Sequence, residues 1–254
     1  MRVNSAKAKM LDGKPAFGYA LAMGSPEMAE LLGNSGIDFL LLDRQHGSWG
    51  EDSTITALAY LSTSPAVPMA RVATNNYAQI GRLLDEGMLG IVVPMVDTVE
   101  QAEAVAAACR FPPKGRRSWG WGRARVYGAD YPTWADAEVF VAVQLESVEA
   151  VQNAEAILAV PGIDGCWVGP GDLALSMGIH PYDASGHEGH RRALEAVVTT
   201  CRNTGTIPGI AGSTPDDGLH YAAMGYQFIT AGSDIGFLSG AAAAGVAKLA
   251  TLSV

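Results

Sequence analysis

The chain of 254 residues carries 17 basic and 26 acidic side chains, a net charge of −9, with 48% hydrophobic and 17% charged residues. That balance argues against a nucleic-acid partner, which wants a basic face, and the composition is not that of a disordered chain. No run approaches the roughly 18 apolar residues that span a bilayer, the first residues lack the apolar core of a secretion signal, and the scattered Cys109, Cys166 and Cys201 suggest neither disulfides nor zinc, so a cytoplasmic protein with no membrane partner is expected.

Apolar runs of strand length alternate with segments that carry helix signals. The expected strands are Ala16 to Ala22, Ile37 to Asp43, Val67 to Val72, Gly90 to Met95, Val139 to Glu146, Ile163 to Val168, Ile207 to Ala211 and Tyr226 to Thr230. Between them, Ser25 precedes Pro26 at a first helical position, and Asn75 precedes a helix over Asn76 to Glu86 that Gly87 closes. Thr98 to Gln101 forms a capping box, Ser147 starts a helix over Val148 to Ala159, and Thr214-Pro215 starts another over Asp216 to Met224. The segment from Arg110 to Glu138, with five arginines, three tryptophans, Pro112 and Pro113, fits neither pattern and reads as a long functional loop. The Ala-rich stretch from Gly240 to Ala250 reads as a packing helix.

Eight such alternations in one chain favour an α/β fold in which a single (β/α)8 TIM barrel, residues 1–254, closes on itself. An open doubly wound sheet is the alternative. Gly169-Pro170-Gly171-Asp172 follows a strand but lacks the third glycine of a dinucleotide fingerprint.

In a parallel barrel the strand C-termini share one face, so residues remote in sequence converge there. The second strand delivers Asp43 and His46, a spacing that suits an oriented acid/base pair, and Gly47 permits a turn there. The third delivers Arg71, placed to hold a carboxylate or a developing oxyanion. The fourth ends in Pro94 and Met95, apolar wall material. The fifth puts Gln144 and Glu146 on one side by its period of two, and the sixth runs into Asp172. Taken singly, Glu146 could be a salt-bridge partner and Asp172 a helix N-cap. Together they make a sparse set of hard oxygen ligands suited to Mg²⁺ or Mn²⁺.

Lys7, Lys9, Lys14, Lys114 and Lys248 all lie away from predicted strand ends, leaving a Schiff-base mechanism without a nucleophile. His187-x-x-His190 has the spacing of a ligand pair, and a polar helix surface explains it as well.

These motifs carry a resemblance along nearly the whole chain. Leu42-Asp43-Arg44-Gln45-His46-Gly47, Pro68 to Arg71, Leu84 to Gly87, Val93 to Val96, Arg110 to Arg116, Val143 to Glu146 and Gly169 to Leu173 resemble the HpcH/HpaI aldolases, a family of metal-dependent class II pyruvate aldolases. The resemblance implies a homohexameric barrel whose last helix is exchanged between subunits, and a Mg²⁺, Mn²⁺ or Co²⁺ ion held by Glu146 and Asp172. It implies His46 as catalytic histidine, oriented by Asp85 with Asp43 nearby, Arg71 and Gln144 on the substrate, and the Gly171 and Asp172 amides as the seat of a pyruvate carboxylate. The implied reaction is reversible aldol cleavage of a 4-hydroxy-2-oxo acid to pyruvate, or a related 2-oxo acid such as hydroxypyruvate, and an aldehyde. Oxaloacetate decarboxylation or an acyl-CoA lyase reaction at the same site is the alternative. A binding barrel without catalysis would show damage at Glu146, His46 or Arg71, and all three are intact. Two departures stand out: Gln45 occupies a position where the family often has glutamate, and the loop with Trp119, Trp121 and Arg123 differs, with bearing on the aldehyde pocket.

Overall fold

The computed structural model describes residues 2–120 and 122–251. Strands β1 (Ala16–Leu21), β2 (Phe39–Asp43), β3 (Val67–Arg71), β4 (Gly90–Val93), β5 (Phe140–Leu145), β6 (Gly165–Val168), β7 (Gly209–Gly212) and β8 (Phe228–Ser233) form a closed barrel in sequence order. All pairs are parallel, including β8 back onto β1. The eight predicted strands are therefore all present, their ends displaced by a few residues.

The uniform greasiness of these strands has two causes, one on each face. Outward side chains such as Leu40, Leu42, Val141, Val143 and Val168 pack beneath the helices with Ile80, Leu83, Val105 and Val197. Inward ones, Phe39, Leu41, Val67, Met69, Phe140, Trp167 and Phe228, fill the barrel. Phe228 lies at the centre, 4.6 Å from the Phe39 ring and 4.9 Å from that of Phe140. At the N-terminal face the helix Ser5–Leu11 closes the barrel, adding Ala6 and Met10 to the inner cluster, and Asn4 Nδ2 donates to the Leu89 and Glu138 carbonyls at 2.8 and 2.9 Å. At the other face the buried Asp234 carboxylate accepts from the amides of Ala22 (3.0 Å) and Met23 (2.9 Å), sealing the β1–β8 seam.

Helix starts follow their signals at Ser25, Thr98 and Thr214, and Gly87 ends its helix at φ +106°. Three expectations are corrected. Asn76 rather than Asn75 caps the helix Tyr77–Glu86. The single helix expected over Val148 to Ala159 is two, Val148–Gln152 and Ala154–Leu158, broken at Asn153, whose amide donates to the Asp97 carbonyl at 2.8 Å. The expected loop from Arg110 to Glu138 contains a 3-10 turn, Arg123–Tyr127, and a helix, Tyr131–Glu138, that forms because Tyr131, Trp134 and Ala135 bury against the inner cluster.

The Ala-rich end lies in the helix Asp234–Ala250, which beyond its first turn buries no side chain in the protomer and exposes Leu238, Val246 and Leu249. Its first turn is tied to the barrel, where the Phe237 ring meets that of Tyr19 edge-on at 4.8 Å. Among the described residues no helix is long and apolar enough to cross a membrane.

Replacing Phe228 with alanine removes the ring that two others pack on, and should cost about 3–5 kcal/mol of unfolding free energy. Chemical denaturation checks this, and a loss below about 1 kcal/mol would contradict the central packing role.

Candidate active site

At the C-terminal mouth the inward-facing positions change from apolar to polar. Asp43, the last residue of β2, stands beside Arg71, the last of β3, in the strand register. Its carboxylate grips the guanidinium through two oxygens, taking Nε at 2.9 Å and the adjacent Nη2. The oxygen that meets Nε also accepts the backbone N–H groups of Gln45 (3.0 Å) and His46 (3.2 Å), so one carboxylate fixes the arginine and folds the turn that presents His46. Gly47 is required there by close approach, since a Cβ would sit 2.3 Å from the Asp43 carbonyl oxygen and 2.9 Å from Ala22 Cα. Burial opposes ionisation of Asp43, but Arg71 and the two amides outweigh it and hold the carboxyl below its ordinary value.

The chain of contacts continues across the barrel. Arg71 lies over the Trp167 ring at 5.2 Å and reaches Gln144 Oε1 with Nη1 at 3.4 Å. The Gln144 amide nitrogen donates to Glu146, whose other oxygen accepts the Met95 N–H at 2.9 Å. Met95 adopts φ +55°, an unfavourable conformation for a side-chain-bearing residue, and its N–H serves this bond. Asp172 follows one turn after β6, exposed in the helix Pro170–Ser176. The turn approaches Glu146 closely: a Cβ on Gly169 would lie 2.8 Å from its Oε2 and 3.0 Å from Gln144 Nε2.

Burial pushes the Glu146 carboxyl up to about 7, and the Asp172 charge pushes the same way, against the bonds from Met95 and Gln144. Two mutually repelling carboxylates, one of them buried, are stabilised by a proton or by a cation between them. The oxygen donors suit a hard divalent ion. Among the described residues no group of three or more ligating side chains exists, so most coordination positions would fall to water and substrate.

On the rim His46 is exposed, and beside it Gln45 Oε1 is buried without a partner among the described residues. The remaining predicted residues are elsewhere. Helices run antiparallel to the strands, so Asp85, in the last turn of Tyr77–Glu86, lies toward the N-terminal face, away from this protomer's His46. Arg117 holds it at 3.2 Å, and Gly120 and Gly122 press against it. Trp119, half exposed, and Arg123 belong to the same flank, and Trp121 falls outside the described residues. His187 and His190 do not form a ligand pair: His187 caps a helix, and His190 is turned to the Pro170 carbonyl. Sequence reasoning missed Met95, which acts through its backbone, and Trp167, which sits inside an apolar run. Stepping by two from Gly169 would have marked Trp167 as inward.

A closed parallel barrel with ionisable side chains gathered at its C-terminal mouth has the plan of a (β/α)8-barrel enzyme. A sequence profile of the HpcH/HpaI aldolase/citrate lyase family matches residues 18–241. The chain is 37% identical to the hydroxypyruvate/pyruvate aldolase of Cupriavidus necator, over 94% of this chain and 90% of that one. It is 34% identical to the 4-hydroxy-2-oxo-heptane-1,7-dioate aldolase of Escherichia coli, over 96% and 94%. The crystal structure of an HpcH/HpaI aldolase/citrate lyase family protein from Burkholderia cenocepacia superimposes with a TM-score of 0.91 at 30% identity, covering 97% of this chain and 99% of that one. The chain therefore belongs to the HpcH/HpaI aldolase/citrate lyase family, and it is a carbon–carbon lyase.

If Glu146 is a cation ligand it must first lose its proton, so Mn²⁺ affinity should fall by about tenfold per pH unit well below pH 7, with close to one proton released per ion there. Calorimetric titration in buffers of different ionisation enthalpy measures both quantities. Affinity independent of pH between about 5.5 and 7 would contradict a cation site built on a carboxyl that is protonated in that window.

Proposed function

We propose that the protein catalyses reversible aldol cleavage of 4-hydroxy-2-oxo acids, releasing pyruvate or a related 2-oxo acid such as hydroxypyruvate, and an aldehyde. The observation that carries this reading is the buried chain Asp43, Arg71, Gln144, Glu146, which crosses the barrel mouth and ends beside Asp172. Relatives named as aldolases for hydroxypyruvate or pyruvate and for 4-hydroxy-2-oxo-heptane-1,7-dioate support the substrate class.

Glu146 and Asp172 would hold the divalent ion, Mg²⁺, Mn²⁺ or Co²⁺, which when bound supplies Lewis acidity at the 2-oxo group and makes the C3 protons removable. Arg71 is already fixed by Asp43, and its Nη1 makes only a long contact to Gln144, so that nitrogen is free to meet the oxygen on which negative charge develops. The Gly171 and Asp172 N–H groups, in the first turn of their helix, face no intrahelical acceptor and suit the substrate carboxylate. His46, presented by the Asp43 turn, moves the proton between C3, or the C4 hydroxyl in cleavage, and solvent.

Orienting His46 through Asp85 requires a second copy of the chain, because in one protomer the two lie toward opposite ends of the barrel. The exposed apolar helix Asp234–Ala250 supports a homo-oligomer, read as a hexamer with that helix exchanged. Trp119 and Arg123 would arrive with Asp85 and shape the aldehyde pocket.

Hydrogen–deuterium exchange at pyruvate C3, followed by NMR with Mn²⁺, tests the reading. The wild type should exchange, EDTA should stop it, and His46→Ala should slow it by at least about 100-fold. Exchange that persists in EDTA refutes the metal role. Absence of both exchange and pyruvate release from a panel of 4-hydroxy-2-oxo acids refutes the activity.

A further inference from the structure

The turn that carries Asp172 is held from outside the barrel by a side chain to which the proposed reaction gives no part. His190, near the start of the helix Glu188–Thr204, is 3% exposed, and its Nε2 lies 2.9 Å from the Pro170 carbonyl oxygen. A carbonyl can only accept, so Nε2 carries the hydrogen and donates it. On the opposite side, Gly169 lies so close to Glu146 and Gln144 that it has no room for a Cβ. The peptides from Gly169 to Asp172 are thus clamped between the polar chain of the barrel mouth and the imidazole.

Buried Leu173 and Ala174 anchor the helix beyond the turn, but the packing behind Pro170 and Gly171 is incomplete. A cavity of about 300 Å³, lined by Pro170, Gly171, His190, Leu194 and Tyr221 among others, opens behind the turn. Nor is the His190 ring needed to start its own helix. That is done by His187, whose Nδ1 accepts the His190 backbone N–H at 3.3 Å.

We propose that His190 is a positioning residue: by fixing the Pro170 carbonyl it keeps the Asp172 carboxylate directed toward Glu146 and the Gly171 amide directed at the substrate. This rests on the function proposed above. His190 itself touches neither cation nor substrate. It orients groups that serve ground state and transition state alike, so its loss should appear in binding and leave turnover nearly intact.

The test uses two substitutions in the full-length protein. His190→Leu keeps bulk and removes the donor, whereas His190→Gln places an amide N–H near the position of Nε2. For each, the Kd of Mn²⁺ is measured by calorimetry, KM and kcat by pyruvate C3 exchange, and the thermal unfolding midpoint by circular dichroism. The leucine variant should raise the Mn²⁺ Kd and the pyruvate KM by about tenfold with kcat within about twofold of wild type, and the glutamine variant should recover most of both. Wild-type Kd and KM in the leucine variant overturn the inference. So do equal losses in both variants that track a falling unfolding midpoint, which mark a merely structural histidine. If the leucine variant does not fold, the glutamine variant decides: near-wild-type binding supports the donor role, and a tenfold loss at an unchanged midpoint overturns it. A wild type that neither binds Mn²⁺ nor exchanges pyruvate protons overturns the proposed function, and this inference with it.

Discussion

A buried arginine at the floor of the barrel mouth sets the terms for everything around it. Arg71 is 8% exposed, and a guanidinium taken out of water is tolerated only when its charge is matched and its donors are used. Asp43 supplies the charge through two oxygens, Gln144 supplies a third acceptor, and the Trp167 ring supplies a polarisable surface beneath. Each partner then acquires a fixed orientation of its own. Asp43 cannot turn without releasing the amides of Gln45 and His46, and Gln144 cannot turn without exchanging its oxygen and nitrogen ends. The polar chain is consequently preorganised, with little left to rearrange when substrate arrives.

The position of Gln144 within that chain is chemically specific. Its oxygen faces a cation and its nitrogen faces a carboxylate, so the amide matches two groups of opposite demand without adding charge. A carboxylate in its place would add a third negative group beside Glu146 and Asp172, and an apolar side chain would leave both neighbours short of a partner. Glu146 remains the uncomfortable member. Burial and the nearby Asp172 both disfavour its ionised form, and the Met95 N–H, delivered from a strained backbone, only partly compensates. A site in this condition gains more from a cation than a solvated pair of carboxylates would, because the cation removes a repulsion already present in the fold.

Most of the architecture was legible because strands buried on both faces leave an unmistakable apolar signature, and because Ser25, Thr98, Thr214 and Gly87 announce helix ends through local bonds and backbone geometry. The polar residues at the strand ends were legible for a related reason: a charged side chain directly after a strand buried on both faces falls where the barrel interior opens to solvent and substrate. What escaped depends on long-range packing or on main-chain groups. The helix Tyr131–Glu138 exists because a barrel base is available to bury Tyr131 and Trp134, which no local pattern reports. Met95 contributes an N–H that every non-proline residue possesses. Asn153 breaks a helix through a bond to Asp97, far away in sequence. The likeness to a family supplied the roles proposed for His46 and Asp85, which spacing alone left open.

The division of the ionisable residues between the two ends of the barrel bears on how the proposed reaction is assembled. Glu146, Asp172, Arg71 and His46 gather at the mouth, whereas Asp85 belongs to a helix end on the other side. A purely structural role for Asp85, as counter-charge to the buried Arg117, would account for one of its oxygens, since Arg117 meets only Oδ1. Its side chain nevertheless keeps 25% of its exposure, and small residues, Gly120 and Gly122, are what lie against it. A side chain with that remaining exposure can meet a group from outside the protomer. In the proposed oligomer that group is the exposed imidazole of another copy's mouth, and the apolar helix left uncovered at the chain's end offers the area that brings such copies together.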